Sequence, residues 1–142
     1  MNLGYACINM TLGEEGITTN RSMKAATLNS KGTQYASQLA LQNAQDLVKV
    51  IEWNAKNNIK FFRVSSNLFP WGNKLNVEQF PDFAEIRSTL ERAGKIALET
   101  NQRITSHPGQ FNLLASPKEE VITNTVRDLE LHALTFDLMG LS

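Results

Sequence analysis

The apolar residues of the chain follow two alternating periods, which predict strands and helices in turn. Three short runs of apolar, β-branched and aromatic residues are typical of buried strands. Three longer segments repeat apolar residues every three or four positions, as amphipathic helices do. The predicted strands cover 2–7, 59–65 and 103–107, and the predicted helices cover 35–56, 81–100 and 117–140.

Local signals place the ends of these helices. Asn57 and Asn58 supply a left-handed stop for the first helix. Residues 116–119, Ser-Pro-Lys-Glu, form a capping-box pattern with proline at the first helical position, and Gly140 is a natural C-terminal stop. The expected core-facing residues of the last helix are Ile122, Val126, Leu129, Ala133 and Phe136.

The order β-α-β-α-β-α predicts an α/β fold with parallel strands and helices outside, joined by right-handed crossovers. The polar segment 8–34 is interpreted as a long loop, and such loops are often functional. No GxGxxG pattern follows the first strand, which argues against a nucleotide-binding open sheet. Three units can form part of an open doubly wound sheet or part of a barrel, and the missing glycine pattern favours a partial TIM-type (β/α) barrel of about three parallel βα units.

Composition narrows the class of protein further. A chain of 142 residues is about one ordinary domain in size, so residues 1–142 are expected to belong to a single unit. The 14 basic residues balance 14 acidic ones, so the chain lacks the excess of basic residues that many nucleic-acid-binding proteins have. A local basic strip can still bind DNA. The single cysteine, Cys7, fits a reducing compartment, and no signal peptide or membrane-length apolar run is present. We therefore expect a soluble intracellular protein.

Three polar clusters follow the three predicted strands. They begin at Asn9, at Ser65 and at His107. Because ligands bind at the carboxyl ends of the strands in both barrel and open-sheet α/β folds, these clusters are predicted to meet on one rim.

Each candidate residue has a structural interpretation beside a functional one. His107 can ligate a metal or simply cap a strand through a hydrogen bond. Gln110 and Phe111 can probe a DNA duplex, or act as a turn residue and a core anchor. Tyr5, inside a strand, is by default a core residue, and His132 is expected to pack beside the sheet and not to bind a metal.

Six collinear stretches span nearly the whole chain: "LGYACINMTLG" (3–13), "TTNRS" (18–22), "LALQNAQDLVKVIEWNA" (39–55), "FFRVSSNLFPW" (61–71), "SHPGQF" (106–111) and "VRDLELHALTFDLMG" (126–140). Together they resemble the UV damage endonucleases, DNA repair enzymes built on a β/α barrel akin to the endonuclease IV and xylose isomerase group. The resemblance implies a metal-dependent hydrolase that nicks the DNA backbone 5′ of ultraviolet photoproducts, with damaged double-stranded DNA as its partner.

The resemblance also implies roles for individual residues. His107 is similar to a ligand of the family's divalent metal cluster, for which manganese is expected. Gln110 and Phe111 are similar to the pair inserted into the duplex opposite the flipped-out lesion, and Tyr5 and Asn9 to residues lining the lesion side. Phe111 stands where many members carry tyrosine, which keeps the ring stack and loses a hydroxyl contact.

The resemblance extends only through the third βα unit of a longer family chain. The other metal ligands would lie beyond residue 142, so we expect the isolated chain to be inactive as a nuclease. Three βα units leave an open sheet edge, which predicts self-association or a completing C-terminal segment.

Two other functions stay open at this point. One is a non-catalytic DNA-binding or interaction module that keeps Gln110 and Phe111 without the metal ligands. The other is a metal-dependent sugar isomerase of the same barrel group, against which "SHPGQF" and the segment around Tyr5 and Asn9 argue.

Overall fold

A computed structural model describes residues 3–107 and 114–141 and contains a three-stranded parallel sheet. Its strands, in the spatial order β1-β2-β3, are β1 (Leu3–Ala6), β2 (Ile59–Val64) and β3 (Arg103–Ser106). All three predicted strands are confirmed, as is their parallel direction.

Four helices accompany the sheet in the described ranges. They are α1 (Met10–Gly13), α2 (Ala25–Lys56), α3 (Phe83–Glu99) and α4 (Glu119–Met139). A short 3₁₀ turn, Val77–Gln79, precedes α3. Helix α3 packs between α2 and α4, so the three long helices form one layer.

The core lies between this helical layer and one face of the sheet. Tyr5, Phe62 and Ile104 are paired in register and point to the same side, since neighbouring parallel strands share a side-chain direction. Phe62 is fully buried and Val64 is nearly so, because alternate residues of a strand point to the same face. The helices contribute Leu47, Ile51, Ile86 and Leu90 to the same cluster.

The opposite face of the sheet carries Ala6, Phe61, Arg63 and Thr105. No described helix covers it, and its side chains are exposed or half-buried. Gly4 lies against Phe61 so closely that a Cβ at residue 4 would stand 2.4 Å from the Phe61 Cβ. Any side chain at residue 4 would therefore displace the ring from the neighbouring strand.

The interpretation of 8–34 as one long loop is wrong. Asn9 caps the short helix α1, because its side-chain oxygen accepts a hydrogen bond from the Leu12 amide. Helix α2 begins at Ala25, ten residues before its predicted start, and is interrupted at Gly32, where φ is 75°. The periodicity detected only the part of α2 whose buried residues recur regularly beyond this break.

The predicted start of α4 is also wrong. The Ser116 hydroxyl accepts from the Lys118 amide, 3.1 Å away, and makes no capping box with Glu119, so the helix begins two residues later than predicted. At the other end Gly140 adopts the left-handed conformation with φ 71°, which confirms the predicted stop.

The core-facing side of α4 differs from the prediction as well. Val126 is 40% exposed and Ala133 is exposed. The residues that pack on the core are instead Leu131, Leu134, Leu138 and Met139. Helix α4 has two apolar sides, and periodicity could not decide which of them meets α3.

Candidate functional site at the carboxyl edge of the sheet

The polar clusters that follow the strands lie at one edge of the sheet, called the carboxyl edge here. Val64 pairs with Ser106, and the Cys7 amide donates to the Arg63 carbonyl at 2.8 Å, so the three strands end side by side. Asn9, Ser65 and His107 follow these ends. Their predicted position on a common rim is confirmed by the parallel register.

Asn9 and Tyr5 form a hydrogen-bonded pair beneath the loop that follows β1. The Asn9 Nδ2 donates to the Tyr5 hydroxyl at 2.8 Å, and that hydroxyl donates to Asn54 Oδ1 on α2 at 2.5 Å. Asn9 is only 7% exposed. The pair therefore couples the start of the loop to helix α2.

The Tyr5 ring faces the helices. It lies edge-on to Trp53 with centroids 6.4 Å apart and tilted against Phe62 at 5.0 Å. Burial raises the pKa of Tyr5 above its ordinary value, while the hydrogen bond donated by Asn9 acts in the opposite direction. The phenol is consequently neutral at physiological pH.

His107 is exposed at the end of β3. Within residues 3–107 and 114–141, no three His, Cys, Asp or Glu side chains are close enough together to hold a metal ion. His107, the predicted metal ligand, therefore lies at the carboxyl edge without a set of further ligands among the described residues. Gln110 and Phe111, the predicted duplex probes, lie outside the described residues.

A buried asparagine on α2, Asn43, joins the loops that follow β1 and β2. Its Nδ2 donates to the carbonyls of Arg21 (3.1 Å), Asn67 (3.3 Å) and Leu68 (3.1 Å). Its Oδ1 accepts from the Arg21 amide at 3.0 Å, and its side chain is fully buried. One amide therefore fixes two loops that are distant in sequence.

Two further contacts hold the first loop. The Arg21 guanidinium pairs with Asp46 at 2.6 Å, and Asp46 also accepts from the Thr18 amide at 3.1 Å. The Trp71 indole donates to the Met23 carbonyl at 2.9 Å, which joins the loop after β2 directly to the loop after β1.

Asn43, Asp46 and Arg21 were missed in the sequence. A signal was present, since Asn43 and Asp46 interrupt the apolar stripe that runs through Ala40 and Leu47. A polar residue at a buried helical position must find a partner, and here the partners are loop groups at the carboxyl edge.

His132 lies beside the sheet, as its sequence context suggested. It lines a small cavity between the ends of β2 and β3 and helix α4, together with Ser65, Ser106 and Thr135. Its Nε2 stands 3.6 Å from the Asp128 carboxylate one turn earlier.

A parallel α/β sheet whose carboxyl edge gathers polar side chains on tied loops is the arrangement in which α/β folds bind ligands. Residues 1–142 match the model of the UV-endonuclease UvdE family, and the chain belongs to that family. This membership sets aside the sugar isomerase alternative.

Individual relatives agree with the family. The chain is 41% identical over 132 residues to the UV-damage endonuclease of Schizosaccharomyces pombe, which covers 92% of this chain and 22% of that protein. It is 35% identical to a putative UV-damage endonuclease of Acanthamoeba polyphaga mimivirus, across all of this chain and 43% of the relative. The crystal structure of SacUVDE superposes with a TM-score of 0.87 at 30% identity, over 99% of this chain and 46% of that one.

The chain thus spans less than half the length of these relatives. In the described ranges, none of the helices is long and apolar enough to cross a membrane.

Proposed function

We propose that this chain forms the lesion-recognising part of a metal-dependent DNA repair endonuclease that nicks the backbone 5′ of ultraviolet photoproducts. The match of residues 1–142 to the UV-endonuclease UvdE family carries the proposal. The tied loops at the carboxyl edge support it, because an enzyme that distorts DNA needs side chains held in fixed positions.

We further propose that the sheet is part of a (β/α) barrel completed by additional strands. Both outer strands, β1 and β3, have an unpaired edge among the described residues, and unpaired parallel edges are unfavourable in isolation. Beside β3, the side chains of Ala133, Phe136 and Leu141 line an open cleft of about 480 Å³ with Thr105. This second apolar side of α4 is suited to packing on a further βα unit.

In the completed enzyme, His107 is proposed to contribute one ligand to a divalent metal site, with manganese as the expected ion. A catalytic divalent ion usually has about three protein ligands, and the described residues do not complete such a set. When bound, such ions activate water and stabilise the charge on the leaving oxygen. No step is assigned to His107 beyond holding the ion.

On the lesion side, two residues are proposed to contact DNA directly and two are proposed to support a loop. Gln110 and Phe111 are proposed to enter the duplex, where a ring can stack on the bases beside an extruded nucleotide. Tyr5 and Asn9 are proposed to act by supporting the loop after β1, because Asn9 is buried and Tyr5 is bonded to Asn54 on α2.

The two histidines of the chain provide a matched test of the metal proposal. The assay is incision of ultraviolet-irradiated plasmid with added manganese or magnesium, alongside sedimentation of the chain. We expect no nicking by the isolated chain and self-association through its open edges. In a completed enzyme, His107→Ala should abolish nicking and lower manganese uptake, whereas a folded His132→Ala variant should retain both. Nicking by a monodisperse monomer, lost in His107→Ala, would contradict the proposed ligand count.

Lesion recognition is tested separately by binding. Aromatic stacking is worth about 1–3 kcal/mol per base, so Phe111→Ala should weaken binding to irradiated duplex by roughly fivefold or more. Binding to undamaged duplex should change little, because no base is extruded there. Equal losses on both duplexes would contradict the wedge role, and preferential binding without nicking in a completed enzyme would favour the non-catalytic DNA-binding module.

A further inference from the structure

Charge is unevenly distributed along this chain, although its formal net charge is zero. Residues 16–45, called the acid-free segment here, contain Arg21, Lys24 and Lys31 and no aspartate or glutamate. The other polar residues of this segment are uncharged: Ser, Thr, Asn, Gln and Tyr. These are the side-chain types that most often contact DNA phosphates.

The acid-free segment extends beyond the carboxyl edge of the sheet. Helix α2 has 32 residues and ends at Lys56, just before β2 begins at the amino edge. The helix is broken at Gly32, and at about 1.5 Å per residue its longer part, residues 33–56, is about 36 Å long, whereas the six residues of β2 span about 20 Å. Asn43 bonds the loop that follows β2, so the turns of α2 before Asn43 lie past the level at which the strands end.

Side-chain contacts fix this extension to the loops of the carboxyl edge. The Met23 carbonyl accepts from Trp71, and Asn43 binds Leu68. Further along, the Ser37 hydroxyl donates to Asp82 at 2.8 Å, which joins the helix to the start of α3. The surface that the segment presents is therefore held in place before any ligand arrives.

Two cations on this surface are available to a ligand. Lys24 and Lys31 are exposed and form no ion pair within the described ranges, whereas Arg21 is already paired with Asp46. The Lys31 Nζ stands 4.4 Å from the centre of the Tyr35 ring. A shallow groove of about 350 Å³ is lined by Lys31, Gln34, Tyr35 and Gln38, with no carboxylate among them.

We propose that the acid-free segment binds the phosphate backbone of duplex DNA beside the site, with Lys24 and Lys31 as the charged contacts. The inference rests on the proposed function, since it takes the duplex as the substrate. Backbone contacts carry no sequence information, so this surface should strengthen binding to damaged and undamaged duplex equally. It would position the duplex while other residues recognise the lesion.

The test is the salt dependence of duplex binding by the chain, measured by fluorescence anisotropy on irradiated and undamaged DNA. Each phosphate contact contributes about 0.9 to the slope of log affinity against log salt. The double variant Lys24→Gln/Lys31→Gln should therefore bind more weakly than wild type at about 50 mM salt. Its disadvantage should shrink about tenfold by about 200 mM salt, to the same extent on both duplexes.

The matched control is Lys56→Gln/Lys95→Gln, which removes two exposed lysines, one of them at the amino end of the fold, and should keep the wild-type slope. An unchanged slope in the Lys24/Lys31 variant, or equal losses in both double variants, would overturn the proposal. So would failure of the wild-type chain to bind either duplex at low salt. If the slope falls as expected but wild type shows no preference for irradiated DNA, the backbone surface stands and the proposed lesion recognition fails.

Discussion

The chain reverses direction at both edges of the sheet, but different residues form the turns at each edge. At the amino edge, two-residue and three-residue turns lead from α2 into β2 and from α3 into β3. Asn58 and Asn101 take the left-handed conformation in these turns, with φ of 55° and 56°. Asparagine tolerates this conformation well, so the amino edge is built from local preferences.

At the carboxyl edge the left-handed positions are Cys7, with φ 60°, and Trp71, with φ 58°. Neither residue type favours this conformation, which costs roughly 1–2 kcal/mol. The loops that contain them are held by contacts between residues far apart in sequence, such as Asn43 with Leu68 and Trp71 with Met23. The carboxyl edge thus keeps unfavourable backbone in place through tertiary contacts, which is typical of edges that carry function.

The largest expected effect is a loss of stability that differs between two buried side-chain amides, Asn43 at the carboxyl edge and Gln102 at the amino edge. Asn43→Leu leaves three loop carbonyls without their donor, and because each unpaired buried group costs about 1–3 kcal/mol, we expect a loss of about 3 kcal/mol in unfolding free energy. Gln102→Leu removes a donor from the Ile51 carbonyl and should cost about 1 kcal/mol. Urea unfolding gives both values.

Hydrogen exchange shows where each amide acts. In Asn43→Leu, amides in 16–22 and 66–72 should exchange faster together, because one side chain holds both loops. In Gln102→Leu these loops should exchange as in wild type. Independent changes in the two loops would contradict the role of Asn43 as their link.

An intermediate effect is expected at Tyr5. Tyr5→Phe deprives Asn9 and Asn54 of a buried partner and should cost about 1–2 kcal/mol at pH 7. The pKa of Tyr5 is raised by burial, so the wild-type hydroxyl contributes fully below pH 10.0 and its contribution is lost as pH rises through the folded pKa. The stability gap between wild type and variant should therefore narrow above about pH 10. A constant gap from pH 7 to pH 11 would contradict this account.

The smallest effect tests backbone strain directly. Cys7→Gly relieves the left-handed conformation and should raise unfolding free energy by about 0.5–1 kcal/mol, after allowing for the greater freedom of glycine in the unfolded chain. Asn58→Gly should change it by only a few tenths, because asparagine is already tolerated there. Equal effects in thermal melts would remove the distinction between the edges.

The sequence by itself determined the three strands, their parallel order and the common edge of Asn9, Ser65 and His107. The strand and helix periods depend only on residues that are close in sequence. In a βα alternation the strands are parallel, because each helix returns the chain to the same edge of the sheet by a right-handed crossover. The family, too, was recognisable from collinear stretches of the chain, and the match of residues 1–142 confirms it.

Only the tertiary structure decided which apolar side of α4 meets α3, where α2 begins, and that the Tyr5 hydroxyl bonds Asn54. The partners in these choices are distant in sequence, as with Tyr5 and Asn54, which are 49 residues apart, and Asn43 and Leu68, which are 25 apart. Helix α4 could bury either side, and a buried amide could bond any nearby carbonyl. The local sequence pattern indicates that a buried polar side chain needs a hydrogen-bond partner, and the packing of the fold determines which partner it has.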